Sequence, residues 1–176
     1  MEGAQEVGYW GYFVVAKTER PATGLVSLGD VRDRLGGFER VPVGWRVWEH
    51  PGEPGIDAGP VVVQLAQEIQ GPAMIGFVMD SDCVVIEAAG PASGSWTACL
   101  GPRLMDGYLS ESGHRVEDWF LPPHEAAERL TTWAREAGLA SAHPLPPALF
   151  RADVDPWAQD KFFDLLEETG LDFPDG

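Results

Sequence analysis

Hydrophobic and polar positions change rhythm near residue 100. Before it, apolar residues come in short blocks separated by Gly, Pro, Asp and Ser; after it, they recur every three or four positions. The block Tyr9 to Lys17 (YWGYFVVAK) is aromatic and β-branched without clean alternation, which predicts a strand covered on both faces. Thr18 to Gly44 reads as loop with one short helix over Ser27–Leu35, ended by Gly36-Gly37. Trp45 to Glu49 predicts a second strand, and His50-Pro51-Gly52-Glu53-Pro54-Gly55 a connector. Pro60 then opens a helix whose apolar face is Val61, Val62, Leu65, Ala66 and Ile69, and Gly71-Pro72 ends it. Ala73–Met79, Cys83–Ala89 and Ser95–Leu100 are apolar runs joined by short turns, an antiparallel meander over 73–100.

From Pro102 the period is helical. Leu104, Met105, Tyr108 and Leu109 share one face, with Gly113 as the cap. Pro123 starts a longer helix with the stripe Ala126, Ala127, Leu130, Trp133, Ala134 and Ala137, and Glu125 stands four positions before Arg129. Asp155-Pro156 predicts the start of a last helix burying Ala158, Phe162, Leu165, Leu166 and Thr169. The endings Ala137-Gly138-Leu139 and Thr169-Gly170-Leu171 both predict a left-handed glycine cap. The expected fold is therefore α+β. One domain over 1–176, strand-rich in 7–100 and helix-rich in 101–172, holds a mainly antiparallel sheet of about five strands, packed by one inserted helix and three C-terminal helices.

Composition narrows the function classes. Lys plus Arg number 12 against 28 Asp plus Glu, a net charge of −16. Nucleic-acid binding needs clustered cations to displace counterions from phosphates, and an anionic membrane would repel this chain for the same reason. The negative field suits solubility or a basic protein partner. No stretch of 18 apolar residues predicts a membrane span, and the acidic start Met1 to Glu6 predicts no secretory signal. Two cysteines, Cys83 and Cys99, make neither a disulfide scaffold nor a zinc motif, so a reducing cytoplasmic location is expected. Only two of the cations are Lys, and 21 Gly and 15 Pro accompany them, a bias that predicts a bacterial source.

Candidate chemistry is sparse. Asp80-Ser81-Asp82 places two carboxylates around one residue, an arrangement that can chelate Mg²⁺ or Mn²⁺, with His114 as a third ligand. The same three residues are what a tight turn selects. Glu87, inside an apolar strand, is either an acid with a raised pKa or a mark of uncovered sheet. Cys83 or Cys99 with His114 or His124 is a conceivable nucleophile and base, against the plainer reading as buried small hydrophobes. His114, Asp118 and His124 match no defined ligand spacing, and Trp119, Phe120 and Leu121 read as a core plug. There is no Gly-rich phosphate loop, nucleophile elbow or His-Glu-x-x-His, so no cofactor is expected.

The strings Val78-Met79-Asp80-Ser81-Asp82-Cys83, Trp96-Thr97-Ala98-Cys99-Leu100 and Asp118-Trp119-Phe120-Leu121-Pro122-Pro123-His124-Glu125-Ala126-Ala127, with the 10–15 strand WGYFVV, carry a resemblance. The chain resembles small acidic actinobacterial proteins of unassigned function, and in size and charge it is similar to cytosolic immunity proteins. That likeness implies no catalytic residues. The expectation is a non-enzymatic interaction protein, an inhibitor or immunity protein for a basic partner, using Trp48 and the carboxylates Asp160, Asp164, Glu167 and Glu168. The alternative is a small divalent-metal-dependent enzyme built on Asp80 and Asp82, with Glu87 or His114 as a further ligand.

Overall fold

The computed structural model describes residues 8–52, 57–139, 144–153 and 157–173. Six strands form one antiparallel sheet: β1 (Gly11–Ala16), β2 (Gly36–Gly37), β3 (Arg46–Pro51), β4 (Ala73–Met79), β5 (Cys83–Gly90) and β6 (Gly94–Leu100), in the order β2-β3-β1-β4-β5-β6. The five long strands and the 73–100 meander are those the sequence predicts; the sixth is a two-residue edge piece. Helices α1 (Ala58–Ile69), α2 (Pro102–Ser110), α3 (Val116–Trp119), α4 (Pro123–Glu136), α5 (Ala148–Arg151) and α6 (Ala158–Glu168) cover both faces.

The register assigns the layers. Tyr12 lies opposite Phe77, Phe77 opposite Val85, and Val85 opposite Cys99, so these residues share a face. On it, α1 packs Val62, Leu65 and Ala66 against Tyr12, Val14 and Ile75. Further along, Met105 of α2 covers Cys83 and Cys99, joined by Val116 and Phe120. The opposite face, through Phe13, Val15, Met74, Ile86 and Trp96, meets α4, α5 and α6. All six residues of β1 are buried because both layers cover it, which explains its lack of alternation.

Several local expectations need correction. Ser27–Leu35 is not an α-helix: 3-10 turns occupy Ala22–Gly24 and Val26–Val31, and Gly29 breaks the second with φ +59°. Gly36-Gly37 is no helix stop but β2, paired with Trp48 and Glu49. His50 and Pro51 continue β3 opposite Tyr12 and Gly11, while residues 53–56 of the expected connector lie outside the described residues. α1 begins two residues before Pro60 and ends with Gln70 in the left-handed region at φ +56°. Single-turn helices α3 and α5 add to the three long C-terminal helices. The Asp155-Pro156 start of α6 lies outside the described residues. The predicted stripes of α4 and α6 are buried throughout, and Leu139 and Leu171 donate N–H bonds back to Ala134 and Leu166, as glycine-capped endings require.

Asp80-Ser81-Asp82 closes the β4–β5 hairpin. Asp80 and Ser81 have φ of +50° and +55°, and Asp82 N–H donates to Met79 C=O at 2.9 Å, which makes a type I′ turn without its usual glycine. Ser81 is nonetheless buried, with three of its polar atoms engaged. Its N–H donates to Tyr9 C=O at 2.9 Å, its Oγ accepts Tyr9 N–H at 2.7 Å, and its C=O accepts Ala158 N–H at 2.9 Å. The turn thus ties the lead into β1 and the start of α6 to one hairpin tip. Ser81→Ala deletes the acceptor and keeps the backbone strain, so a loss of about 1–2 kcal/mol is expected in urea denaturation. Ser81→Gly deletes the same bond but relieves a left-handed penalty of about 1 kcal/mol, so it should cost less. Finding the glycine variant the less stable would refute this reading of the turn.

Candidate functional site

The expected metal constellation does not assemble. Asp82 turns toward α2, where its Oδ2 accepts the Tyr108 hydroxyl at 3.0 Å. That acceptor, second to burial, pushes the Tyr108 hydroxyl up to about 12. A Cβ on Gly8 would collide with Asp80 Oδ1, so Asp80 stands against the lead into β1. His114 packs edge-on against Trp119 instead, with ring centroids 5.3 Å apart. Among the described residues, no three His, Cys, Asp or Glu side chains come together where they could hold a metal. Cys83 and Cys99 lie two positions out of register on one face, buried and unbonded to each other. Burial first, then nearby negative groups, pushes both thiols up to about 12, so neither is a thiolate at neutral pH.

Of the expected interaction residues, Trp48 is 5% exposed and belongs to the core, so it anchors nothing outside. Asp160, Asp164, Glu167 and Glu168 are all exposed on α6. The indoles that do reach solvent are Trp10, Trp119 and Trp157, with Trp119 the most exposed at 57%.

Trp119 stands where the chain rounds the edge of the sheet. After α2, residues 111–115 turn and α3 makes one helical turn, with Asp118 accepting the Arg115 N–H at 2.8 Å. Phe120 N–H closes onto Val116 C=O at 3.0 Å, and Leu121 N–H donates to Thr97 C=O at 3.1 Å. Phe120 then packs with the Cys83–Cys99 cluster and Leu121 with the core on the other side of the sheet. The segment therefore straddles β6 and blunts an otherwise open edge. Of the Trp119, Phe120 and Leu121 plug that the sequence predicts, only the last two pack inward. The readable signal was its setting, an indole directly after Glu117 and Asp118.

A cleft of about 750 Å³ opens beside it, between β6, α3 and the first turns of α4. Ser95, Trp96 and Thr97 form its floor, Phe120 and Leu121 its apolar side. Four carboxylates, Glu117, Asp118, Glu125 and Glu128, line it with one cation, Arg129. Arg129 is already engaged: its guanidinium donates to Ser95 C=O at 2.8 Å, which replaces the Glu125–Arg129 pair suggested by spacing. The carboxylates of Glu117 and Glu128 make no hydrogen bond or ion pair among the described residues. The result is an exposed aromatic face in a net negative cleft, an arrangement that attracts a cation.

On the helix-α1 side of β6 lies a second cleft, about 540 Å³, which shares Ser95, Trp96 and Thr97 with the first. Glu87 faces it and accepts the Thr97 hydroxyl at 2.7 Å. Burial and the nearby negative Asp57 raise the Glu87 pKa despite that bond. Glu87 is thus half-buried beneath the start of α1, not an opening onto bulk water.

Glu68 and Glu136 show the opposite behaviour. Burial disfavours their ionisation, but donors from Ser27 and Val26 at Glu68, with Arg20, and from Ser93 and Ala92 at Glu136, outweigh it and hold both below the usual range. These two carboxylates pin loops to helices and belong to the scaffold.

No helix among the described residues is long and apolar enough to cross a membrane. No family model, curated protein or solved structure matches this chain.

Proposed function

We propose that this protein is a binding protein, without catalysis of its own, whose cleft at the β6 edge takes a basic segment of a partner protein. The observation that carries the reading is the exposed Trp119 indole among Glu117, Asp118, Glu125 and Glu128. A guanidinium over an indole contributes about 0.5–1 kcal/mol when exposed and about 2 when desolvated. Exposed ion pairs add about 0.2–1 kcal/mol each, so several contacts are needed for useful affinity. The net charge of −16 supplies long-range attraction, which speeds encounter and makes it salt-sensitive. An immunity or inhibitor protein covering a cationic surface would use such a cleft, and the acidic outer face of α6 would add to the field.

Titration of the tryptophan fluorescence with acetylated, amidated tri-arginine at low ionic strength tests the reading. A saturable change is expected, absent with tri-glutamate and weakened by added salt. Trp119→Ala should weaken binding about tenfold, the equivalent of about 1.4 kcal/mol. Its thermal midpoint should stay close to that of the parent, because the side chain packs mainly against His114. Absence of saturable binding, or equal affinity after Trp119→Ala, would sink the proposal.

A further inference from the structure

We infer that the sulfur cluster where the β4–β5–β6 meander meets α2 is a binding site for a soft monovalent cation, Cu⁺ by preference. Cys83 and Cys99 would hold the ion together with the thioethers of Met79 and Met105. This site is independent of the Trp119 cleft.

The placement of sulfur carries the inference. The chain has two cysteines and four methionines, and both cysteines gather with two of the methionines at one place, each from a different element. Met79, at the end of β4, lies directly opposite Cys83 at the start of β5, so their side chains leave the same face. Cβ atoms of such a pair stand about 4.5–5.5 Å apart. Cys99 on β6 is the diagonal neighbour of Cys83 on that face, near enough for its charge to bear on the Cys83 thiol. Met105 of α2 closes the cluster from above. Unbranched thioether side chains can adjust their sulfur position to a ligand geometry that stiffer residues could not reach.

The donor set selects the ion. Among the described residues no three His, Cys, Asp or Glu side chains could share a metal there, which leaves hard and borderline dications without a site. Two thiols and two thioethers are soft donors and favour Cu⁺ over Mg²⁺ or Zn²⁺. The neighbours Val85, Leu109, Val116 and Phe120 are apolar, so a dication would be poorly solvated, whereas Cu⁺ with one thiolate sums to zero charge. As the Cu–S bond forms, the cysteine S–H proton passes to solvent and no electron moves. Asp82 and Asp106, whose charge holds the thiols protonated in the free protein, would favour an arriving cation. Both stay at the rim, where Asp82 accepts the Tyr108 hydroxyl and Asp106 the Val116 N–H. Met79 and Tyr108 are only half-buried, so the cluster reaches solvent on that side.

Titration of the reduced full chain without oxygen, with Cu⁺ supplied as its acetonitrile complex against a chromogenic Cu⁺ chelator, tests the site. One equivalent should be withheld from the chelator, with thiolate-to-metal absorption in the ultraviolet and a raised thermal midpoint. Zn²⁺ should leave the midpoint unchanged. Met79→Leu and Met105→Leu, each close to the parent in volume, should keep the metal-free midpoint and weaken Cu⁺ binding about tenfold or more. Failure to withhold Cu⁺, or Zn²⁺ stabilising as well as Cu⁺, would overturn the inference. So would unchanged affinity in both methionine variants, or a midpoint lowered by Cu⁺, the mark of capture by thiols of the unfolded chain.

Discussion

Trp133→Ala is expected to leave the protein largely unfolded at ordinary temperature. The indole is fully buried at the centre of the α4 stripe and packs on Trp45 with ring centroids 5.8 Å apart. Its Nε1–H is shared between the carbonyls of Ala73 and Ala89, each at 3.2 Å, which face each other across β4 and β5. One side chain therefore both fills the space between α4 and the sheet and ties the helix to two strands. Truncating a buried Trp costs about 3–5 kcal/mol through lost contacts and the cavity left behind. The two carbonyls lose a donor besides, and a domain holds only about 5–15 kcal/mol in all. Trp133→Phe keeps most of the volume and loses the hydrogen bonds, so about 1–2 kcal/mol is expected. Urea denaturation of the three proteins checks the order, and an alanine variant within 2 kcal/mol of the parent would show that the site collapses without a cavity.

Gly76→Ala should cost about 2–3 kcal/mol, the upper part of the range for overpacking. Glycine in mid-strand normally weakens a sheet, so alanine would help if space allowed. Space does not allow it. A Cβ at Gly76 would lie 2.7 Å from the Phe162 ring. That ring is fully buried, with Phe13 stacked at 6.1 Å and Phe163 edge-on at 5.7 Å, so it cannot swing aside without moving a cluster. Phe162→Leu alone should destabilise by cavity formation, and the double variant Gly76→Ala with Phe162→Leu should recover at least about 1 kcal/mol relative to additivity. Strictly additive effects in thermal or urea unfolding would show that the two residues do not compete for the same volume.

The candidate site was less legible than the fold, and particular residues show why. Asp80-Ser81-Asp82 looked the same as a chelate and as a turn because Asp and Ser serve both; only the burial of Ser81 and the pairing of Asp82 with Tyr108 separate the two. Trp48 and Trp119 are the same residue type next to carboxylates, at Glu49 and Asp118, yet one is core and the other exposed. Trp48 sits inside a strand covered by a layer, and a Cβ on Gly37 would lie only 3.8 Å from its ring. Trp119 ends a single turn on the outside of the edge. The difference depends on neighbours distant in sequence.

Strand runs, helical stripes and glycine-capped endings were written in local order. Their chemistry depends on the dihedral preferences and spacing of adjacent residues, and those act over one or two turns of chain. The meeting of Trp119 with Glu128, of Glu87 with Thr97, and of two clefts over Trp96 arose only when β5, β6, α3 and α4 came together. Such encounters are set by register and layer packing, which sum many weak contacts across the whole molecule, so no window of sequence contains them.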